Sequence, residues 1–214
     1  MRIAAASIVG VALALSAASA MAAKPNPLPW EKIDTSDGID VWAREVPGSN
    51  VREVKAEAII NLPAETVWAV LYDVKKYSEF MPYLIKGYVL GPAGPNAQYE
   101  YQLIDPPIVD KRDYTLKVTV HQDHEKGLYT RTWVPANDKG PKAVSDVVRV
   151  TICEGAWTVE KLGSRSTRLE YRLYTDPGGS IPSWIADKAN TTSVPDLLNA
   201  VRQRSFNPKW KKDD

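Results

Sequence analysis

Asp176-Pro177-Gly178-Gly179-Ser180-Ile181-Pro182-Ser183-Trp184-Ile185 is the stretch around which the chain is organised. Asp-Pro-Gly-Gly cannot continue a strand, because Pro177 lacks a donor and the two glycines favour positive φ. A helix start follows: Ser180 can cap free backbone N–H groups, and Pro182 suits a first helical turn. Ile181, Trp184, Ile185 and Ala189, then Val194, Leu197, Leu198 and Val201, fall at one-face helical spacing. Pro195 stands between the two blocks, and its missing N–H predicts a kink or a break. Nearly everything before this stretch reads as strand, so the helix needs a sheet to lie on.

Working back from the helix, seven runs read as strands: Ile85 to Leu90, Gln98 to Ile104, Tyr114 to His121, Leu128 to Val134, Val147 to Glu154, Ala156 to Leu162 and Thr167 to Tyr174. Turn-rich segments separate them, among them Gly91-Pro92-Ala93-Gly94-Pro95-Asn96 and Asp105-Pro106-Pro107. Short sequential strands with short turns predict an antiparallel meander with one inside face and one wet face. Upstream, Asp37-Gly38 signals a hairpin between two alternating runs, and Val51 to Ile60 alternates again. Ala64, Val67, Trp68 and Leu71 have helical spacing after Pro63, and a short helical piece ends at Met81-Pro82. The fold class is therefore α+β: one curved antiparallel sheet wrapped around a long C-terminal helix, an arrangement that can leave a deep hydrophobic cavity.

The N-terminus reads differently. Arg2, an apolar run from Ile3 to Ala18, and Ala20-Met21-Ala22 form a signal-peptide pattern. The expected organisation is a signal peptide at 1–22, a Pro-rich linker at 23–29, one domain at 30–206 and a polar, frayed tail at 207–214. The expected location is the periplasm or the exterior. Basic residues number 27 against 26 acidic, so no global field steers the chain to nucleic acid. Cys153 is alone, so no internal disulfide is expected. Seven Trp and ten Tyr against two Phe favour aromatics with a polar tip, which suit walls that are partly apolar and partly wet.

No catalytic constellation emerges. The serines sit in no G-x-S-x-G elbow, and no phosphate-cradling glycine loop is present. Cys153 reads as a small buried hydrophobe. His121 and His124 on a strand end would point to opposite faces, which argues against a metal pair. No metal or other cofactor is expected.

Four stretches resemble the steroidogenic acute regulatory protein-related lipid-transfer (START) domain of the helix-grip superfamily. They are Gly38 to Arg44 with Pro63 to Asp73 and Tyr77 to Met81; Pro107-Ile108-Val109-Asp110-Lys111-Arg112-Asp113-Tyr114; Val148-Arg149-Val150 followed by Gly155-Ala156-Trp157; and Tyr174 to Ile185. Their order and spacing carry the resemblance more than any single motif. It implies a hydrophobic tunnel that shields one lipid or other hydrophobic molecule, non-enzymatically, with the C-terminal helix and nearby loops as a gate. The alternatives are a cyclase- or hydrolase-like enzyme on the same scaffold and a partner-binding module with a filled core. A signal peptide departs from the familiar cytosolic animal members, so neither the ligand nor its route is carried over.

The resemblance also implies a charged pair in the tunnel. Arg149 matches the strand Arg position, with Glu100 and Glu170 as candidate partners. Arg112 and Asp113 would form a local structural network. The wall candidates are Trp68, Met81, Leu84, Tyr101, Leu116, Trp133, Trp157, Leu173, Trp184, Ile185 and Leu198, any of which is equally suited to a packed core. Gly178, Gly179 and Pro195 are the candidate hinges. The expected partners are a lipid and, transiently, a membrane surface, with the protein a monomer.

Overall fold

The computed structural model describes residues 28–212 except 108, 180 and 182, with side chains within 183–191 left undescribed. The expected signal peptide and most of the expected linker lie outside these residues, as do the capping roles expected of Ser180 and Pro182 and the side chains of Trp184 and Ile185.

Three strands come first: β1 (Glu31–Ser36), β2 (Ile39–Arg44) and β3 (Glu53–Ile60). Asp37 and Gly38 join β1 to β2 with φ of 53° and 71°, the doubly positive turn that matches the twist of a tight hairpin. Helix α1 (Ala64–Tyr72) buries Ala64, Val67, Trp68 and Leu71, the residues whose spacing announced it. A single 3₁₀ turn leads into α2 (Tyr77–Phe80). Then come β4 (Leu84–Gly94), β5 (Ala97–Ile104), β6 (Arg112–Asp123), β7 (Leu128–Pro135), β8 (Val148–Arg149), β9 (Ile152–Gly163) and β10 (Ser166–Asp176), and α3 (Ser183–Phe206) closes the fold.

The strands form one sheet of ten, in the order β1-β2-β3-β10-β9-β7-β6-β5-β4, with β8 beside β6. Every pairing is antiparallel except β8 with β6. The sheet thus closes its two halves through β3 and β10, and α3 crosses its concave side.

Four expectations need correction. The run Val147 to Glu154 is not a meander strand: only Val148 and Arg149 pair, parallel to Arg112 and Asp113, and β9 begins afresh at Ile152. Gly155 does not divide two strands. It pairs with Leu173 on one side and Trp133 on the other. A Cβ there would lie 2.3 Å from the Arg172 carbonyl and 2.4 Å from the Trp133 ring, so glycine is required by close approach, not by a turn. Strand β4 runs on to Gly94 through Pro92, with register shifts along its length. Among the described residues it pairs only with β5, and an edge strand tolerates a missing donor. Helix α3 is continuous through Pro195. Pro195 forfeits one backbone bond, but Val194, Leu198 and Val201 beside it are fully buried. Each such burial contributes about 1.5–3 kcal/mol, which outweighs the lost bond.

The tail is not frayed over its described part. Lys212 Nζ donates to the carbonyls of Met81 at 3.1 Å and Leu84 at 2.8 Å, and its backbone N–H donates to Glu79 at 3.1 Å. Arg204, buried, donates to Glu79 at 2.6 Å and to the Trp210 carbonyl. The tail therefore staples the end of α3 to the segment between α2 and β4.

Packing is unequal across the sheet. Helix α3 lies on β2, β3 and β10 and against α1. There Val41, Val54, Ala56, Leu71, Leu169, Val194, Leu198 and Val201 form a dry core. Opposite the other half of the sheet, strands β5, β6 and β7 face a cavity. Among the described residues, no helix is long and apolar enough to cross a membrane.

Candidate functional site

The cavity has a volume of about 820 Å³. Its wall follows from strand alternation. On β5, Glu100, Gln102 and Ile104 point inward; on β6, Tyr114, Leu116 and Val118; on β7, Arg131 and Trp133; on β9, Cys153 and Trp157; on β10, Tyr171 and Leu173. Three aromatics form one continuous surface: the Tyr171 ring lies 4.3 Å from Trp157 and 5.7 Å from Trp133, centroid to centroid. Trp133 can lie flat against β9 because Gly155 offers no side chain.

The two ends differ. One end is built mainly from loops and element ends: Met81 to Leu84, Pro106 and Pro107, Val109, Asp110 and Arg112, Pro177 and Gly179 of the turn before α3, Ile181, and Leu197 on α3. The other end is polar and is formed by Tyr77, Glu100 and Arg131. Glu100 and Ile104 are four residues apart on one strand, so the ends are separated by roughly 13 Å along the sheet.

At the polar end Arg131 Nη2 donates to both carboxylate oxygens of Glu100. Gln98 also donates to Glu100, at 2.6 Å. The Arg131 and Glu100 side chains are 3% and 1% exposed. Burial works against the Arg131 charge, but Tyr77 and Glu100 beside it outweigh burial, and the guanidinium is held more firmly protonated than usual. Tyr77 lies under the guanidinium and donates to the Leu71 carbonyl. Burial pushes its phenol up to about 12, with Arg131 opposing and Glu100 assisting. Burial likewise pushes the Cys153 thiol up to about 12.

Of the residues singled out in the sequence, Glu100, Met81, Leu84, Leu116, Trp133, Trp157, Leu173, Gly179 and Arg112 line the cavity. Arg149 does not. Its Nε and Nη2 donate to Asp113 at 2.6 and 2.9 Å, and it also reaches the Pro141 carbonyl. Asp113 alternates with the inward residues of β6, so this pair lies on the far face of the sheet, where Tyr101 donates to Asp113 at 3.0 Å. Tyr101 is thus buried behind the wall and does not face the cavity. Its neighbour Glu100 takes the inward position. Glu170, the other candidate partner, lies 3.9 Å from Lys55. Trp68 stacks on Tyr129 at 5.5 Å and donates to Gln122, and Leu198 belongs to the dry core; neither lines the cavity.

Arg112 has two attachments. It donates to the Pro177 carbonyl at 3.2 Å and to the Asp110 carbonyl, and so ties the start of β6 to the turn before α3. Burial lowers its pKa, with Asp110 opposing. In that turn Gly178 and Gly179 have φ of 65° and 75°.

Arg131 was missed. A signal was present: Tyr129, Arg131 and Trp133 alternate on one strand, and two aromatics on the inner face carry the arginine between them inward. His121 and His124 both border a separate polar cleft, because His124 lies past the end of β6 and escapes strand alternation. Among the described residues, no group of three or more His, Cys, Asp or Glu could hold a metal ion.

Residues 60–202 match the family described as polyketide cyclase / dehydrase and lipid transport. A protein of Pseudomonas aeruginosa is 28% identical over 179 residues, 81% of this chain and 85% of that protein. The crystal structure of a STAR-related lipid transfer protein fragment from Xanthomonas axonopodis is 27% identical, covers 83% of this chain and 99% of the fragment, and superposes with a TM-score of 0.74. The human START domain-containing protein 10 is 21% identical over 196 residues, and the chain spans 63% of that protein's length. Its solved structure has a TM-score of 0.76, with 85% of this chain and 75% of that chain covered, and shares the fold. Matched over most of its length, and with a curved ten-stranded sheet gripping a closing helix, the chain belongs to the polyketide cyclase / dehydrase and lipid transport family, in its START form.

Proposed function

We propose that this chain binds one lipid or other hydrophobic molecule in the cavity and carries it without chemical change. The observation that carries the reading is the cavity of about 820 Å³ beneath an apolar and aromatic wall. That volume falls within the range of sites that enclose a small molecule. Each buried CH₂ of an acyl chain stabilises the complex by about 0.8 kcal/mol, so an apolar wall suffices for binding. Access is at the loop end, by movement of the Pro177–Gly179 turn with the start of α3. Gly178 and Gly179 supply the backbone freedom, and the Arg112 tether sets the closed position.

The family description includes cyclases, and Glu100, Arg131 and Tyr77 converge on the cavity, which favours an enzyme as the second reading. Carriage is preferred on chemical grounds. Arg131 and Glu100 neutralise each other, the cavity thiol is held protonated, and no histidine lines the wall among the described residues.

Export follows from the N-terminal sequence: cleavage after Ala22 would release a periplasmic or secreted monomer that touches membranes only while loading. The test is to incubate purified protein with lipid vesicles, recover it by gel filtration and identify the extracted lipid. Stoichiometric recovery of unchanged lipid supports carriage. A product of altered mass supports the enzyme, and no recovered lipid refutes both. Terminal sequencing of protein recovered from the periplasm or medium tests export; an intact N-terminus on cytoplasmic protein contradicts it.

A further inference from the structure

The segment Met81–Leu84, between α2 and β4, forms part of the loop-end rim of the cavity. Met81 and Leu84 are buried, whereas Tyr83 is 39% exposed and has φ of 58°. A tyrosine in the left-handed region is strained, because its Cβ crowds the following carbonyl. Such a conformation persists only where its surroundings hold it. Within the segment the Leu84 N–H reaches the Met81 carbonyl at 3.4 Å, a long bond. The firmer supports come from elsewhere in the chain. The backbone N–H of Asp105, just past β5, donates to the Tyr83 carbonyl at 2.8 Å. Lys212 Nζ donates to the carbonyls on either side, those of Met81 and Leu84.

Lys212 is delivered there by a pinned tail. Trp210 packs against the core, and the Arg204 guanidinium lies 5.4 Å from the Phe80 ring centroid. Arg204 also donates to the Trp210 carbonyl and to Glu79. The Lys212 backbone N–H bonds the Glu79 carbonyl at 3.1 Å, so main chain and side chain of one residue both grip the connection from α2 to β4. Its two Nζ bonds are charge-assisted. Leu84 pairs with Ile104 and Ile104 with Arg112, so the strapped segment lies two strands from the Arg112 tether on the Pro177–Gly179 turn. The rim is thus held at two places, each time by a cationic side chain on backbone carbonyls.

We propose that Lys212 is a positioning residue for ligand passage: it straps the Met81–Leu84 segment over the cavity mouth, and its release lets the strained turn at Tyr83 relax and opens a second side of the rim. The gating role rests on the carriage reading above; the strap itself does not.

The experiment compares the full chain with Lys212→Met, which keeps the apolar stem and removes the ammonium, and with Lys212→Arg, which restores a cationic donor. The first measurement is amide hydrogen exchange without ligand. Lys212→Met is expected to speed exchange at Leu84 and Asp105 roughly tenfold, as for loss of hydrogen bonds to a charged group, while the amides of β9 keep the parent's rates. Lys212→Arg is expected to restore most of the protection. The second measurement is stopped-flow uptake and release of cis-parinarate, a fluorescent fatty acid. A gate sets the barrier and not the bound contacts, so in Lys212→Met uptake and release should quicken together, with the affinity unchanged. Unchanged exchange at Leu84 and Asp105, or an equal rise throughout β9, overturns the strap. Unchanged rates, or a change of affinity carried by release alone, overturns the gate. If the parent chain takes up no parinarate, the gate falls with the carriage reading, and the exchange rates still decide whether Lys212 holds the turn.

Discussion

Arg131 and Glu100 meet at the polar end of the cavity, with one guanidinium nitrogen bonded to both carboxylate oxygens and both side chains sealed from solvent. Two charges so placed depend on each other. Glu100→Gln leaves a buried guanidinium without its counter-charge and is expected to cost about 3–5 kcal/mol in urea denaturation. Replacing both, as Glu100→Leu with Arg131→Met, restores most of that loss, because a buried pair exchanged for apolar side chains is often neutral. A single variant as stable as the parent would remove the pair from the account.

Gly155→Ala places a methyl against the Arg172 carbonyl and the Trp133 ring. Overpacking of this kind costs about 1–3 kcal/mol. It also pushes Trp133 toward the cavity, so the melting temperature and the lipid affinity should fall together. A variant with unchanged melting and unchanged binding would show that the ring does not depend on this glycine.

Cys153 is the chain's one thiol, and its pKa is raised to about 12 by burial in the cavity wall. Its thiolate fraction at neutral pH is about a thousandfold below that of a free cysteine. Native protein should react slowly with a disulfide reagent such as Ellman's reagent, and one equivalent should react at once in denaturant. A bound lipid should slow the native reaction further. Fast labelling of the native protein would contradict the placement.

Alkaline stability follows from the same burial. Tyr77 and Cys153 both keep their protons in the fold to about pH 12. In the unfolded chain they ionise near their ordinary values, about 10 and 8.5. Above about pH 9 the folded state therefore binds more protons than the unfolded state, and stability declines as pH rises toward 12. Each group removes up to about 1.4 kcal/mol per pH unit while its unfolded form is ionised and its folded form is not. Urea midpoints from pH 7 to 11 should be flat at first and then fall; Tyr77→Phe should reduce the fall. A midpoint independent of pH above 9 would be inconsistent with these buried groups.

Much of the architecture was legible because it rests on local rules. Alternation located the inner faces, Asp37-Gly38 the hairpin, and Asp176 to Ile185 the passage from sheet to helix. The failures have a common cause: each was decided by a partner distant in sequence. Gly155 looked like a break until the Trp133 ring was seen against it. Arg149 had Glu100 and Glu170 as candidate partners, but the parallel pairing of β8 with β6 sets it beside Asp113. Lys212 looked solvated, yet it holds the Met81 and Leu84 carbonyls, 131 and 128 residues earlier in the chain. The division between core and cavity was also invisible in sequence. Leu198 and Leu197 are adjacent on α3, but one is sealed in the core and the other lines the cavity.

The central claim is that the space between sheet and helix holds one hydrophobic molecule. Native mass spectrometry after incubation with lipid vesicles tests it most directly, comparing the parent chain with Leu116→Trp and Leu173→Trp, which fill the cavity from two strands. The parent should carry a single lipid of unchanged mass, and the filled variants, checked for an intact thermal transition, should carry none. A parent chain that takes up no lipid, or filled and folded variants that take up as much as the parent, would contradict the account.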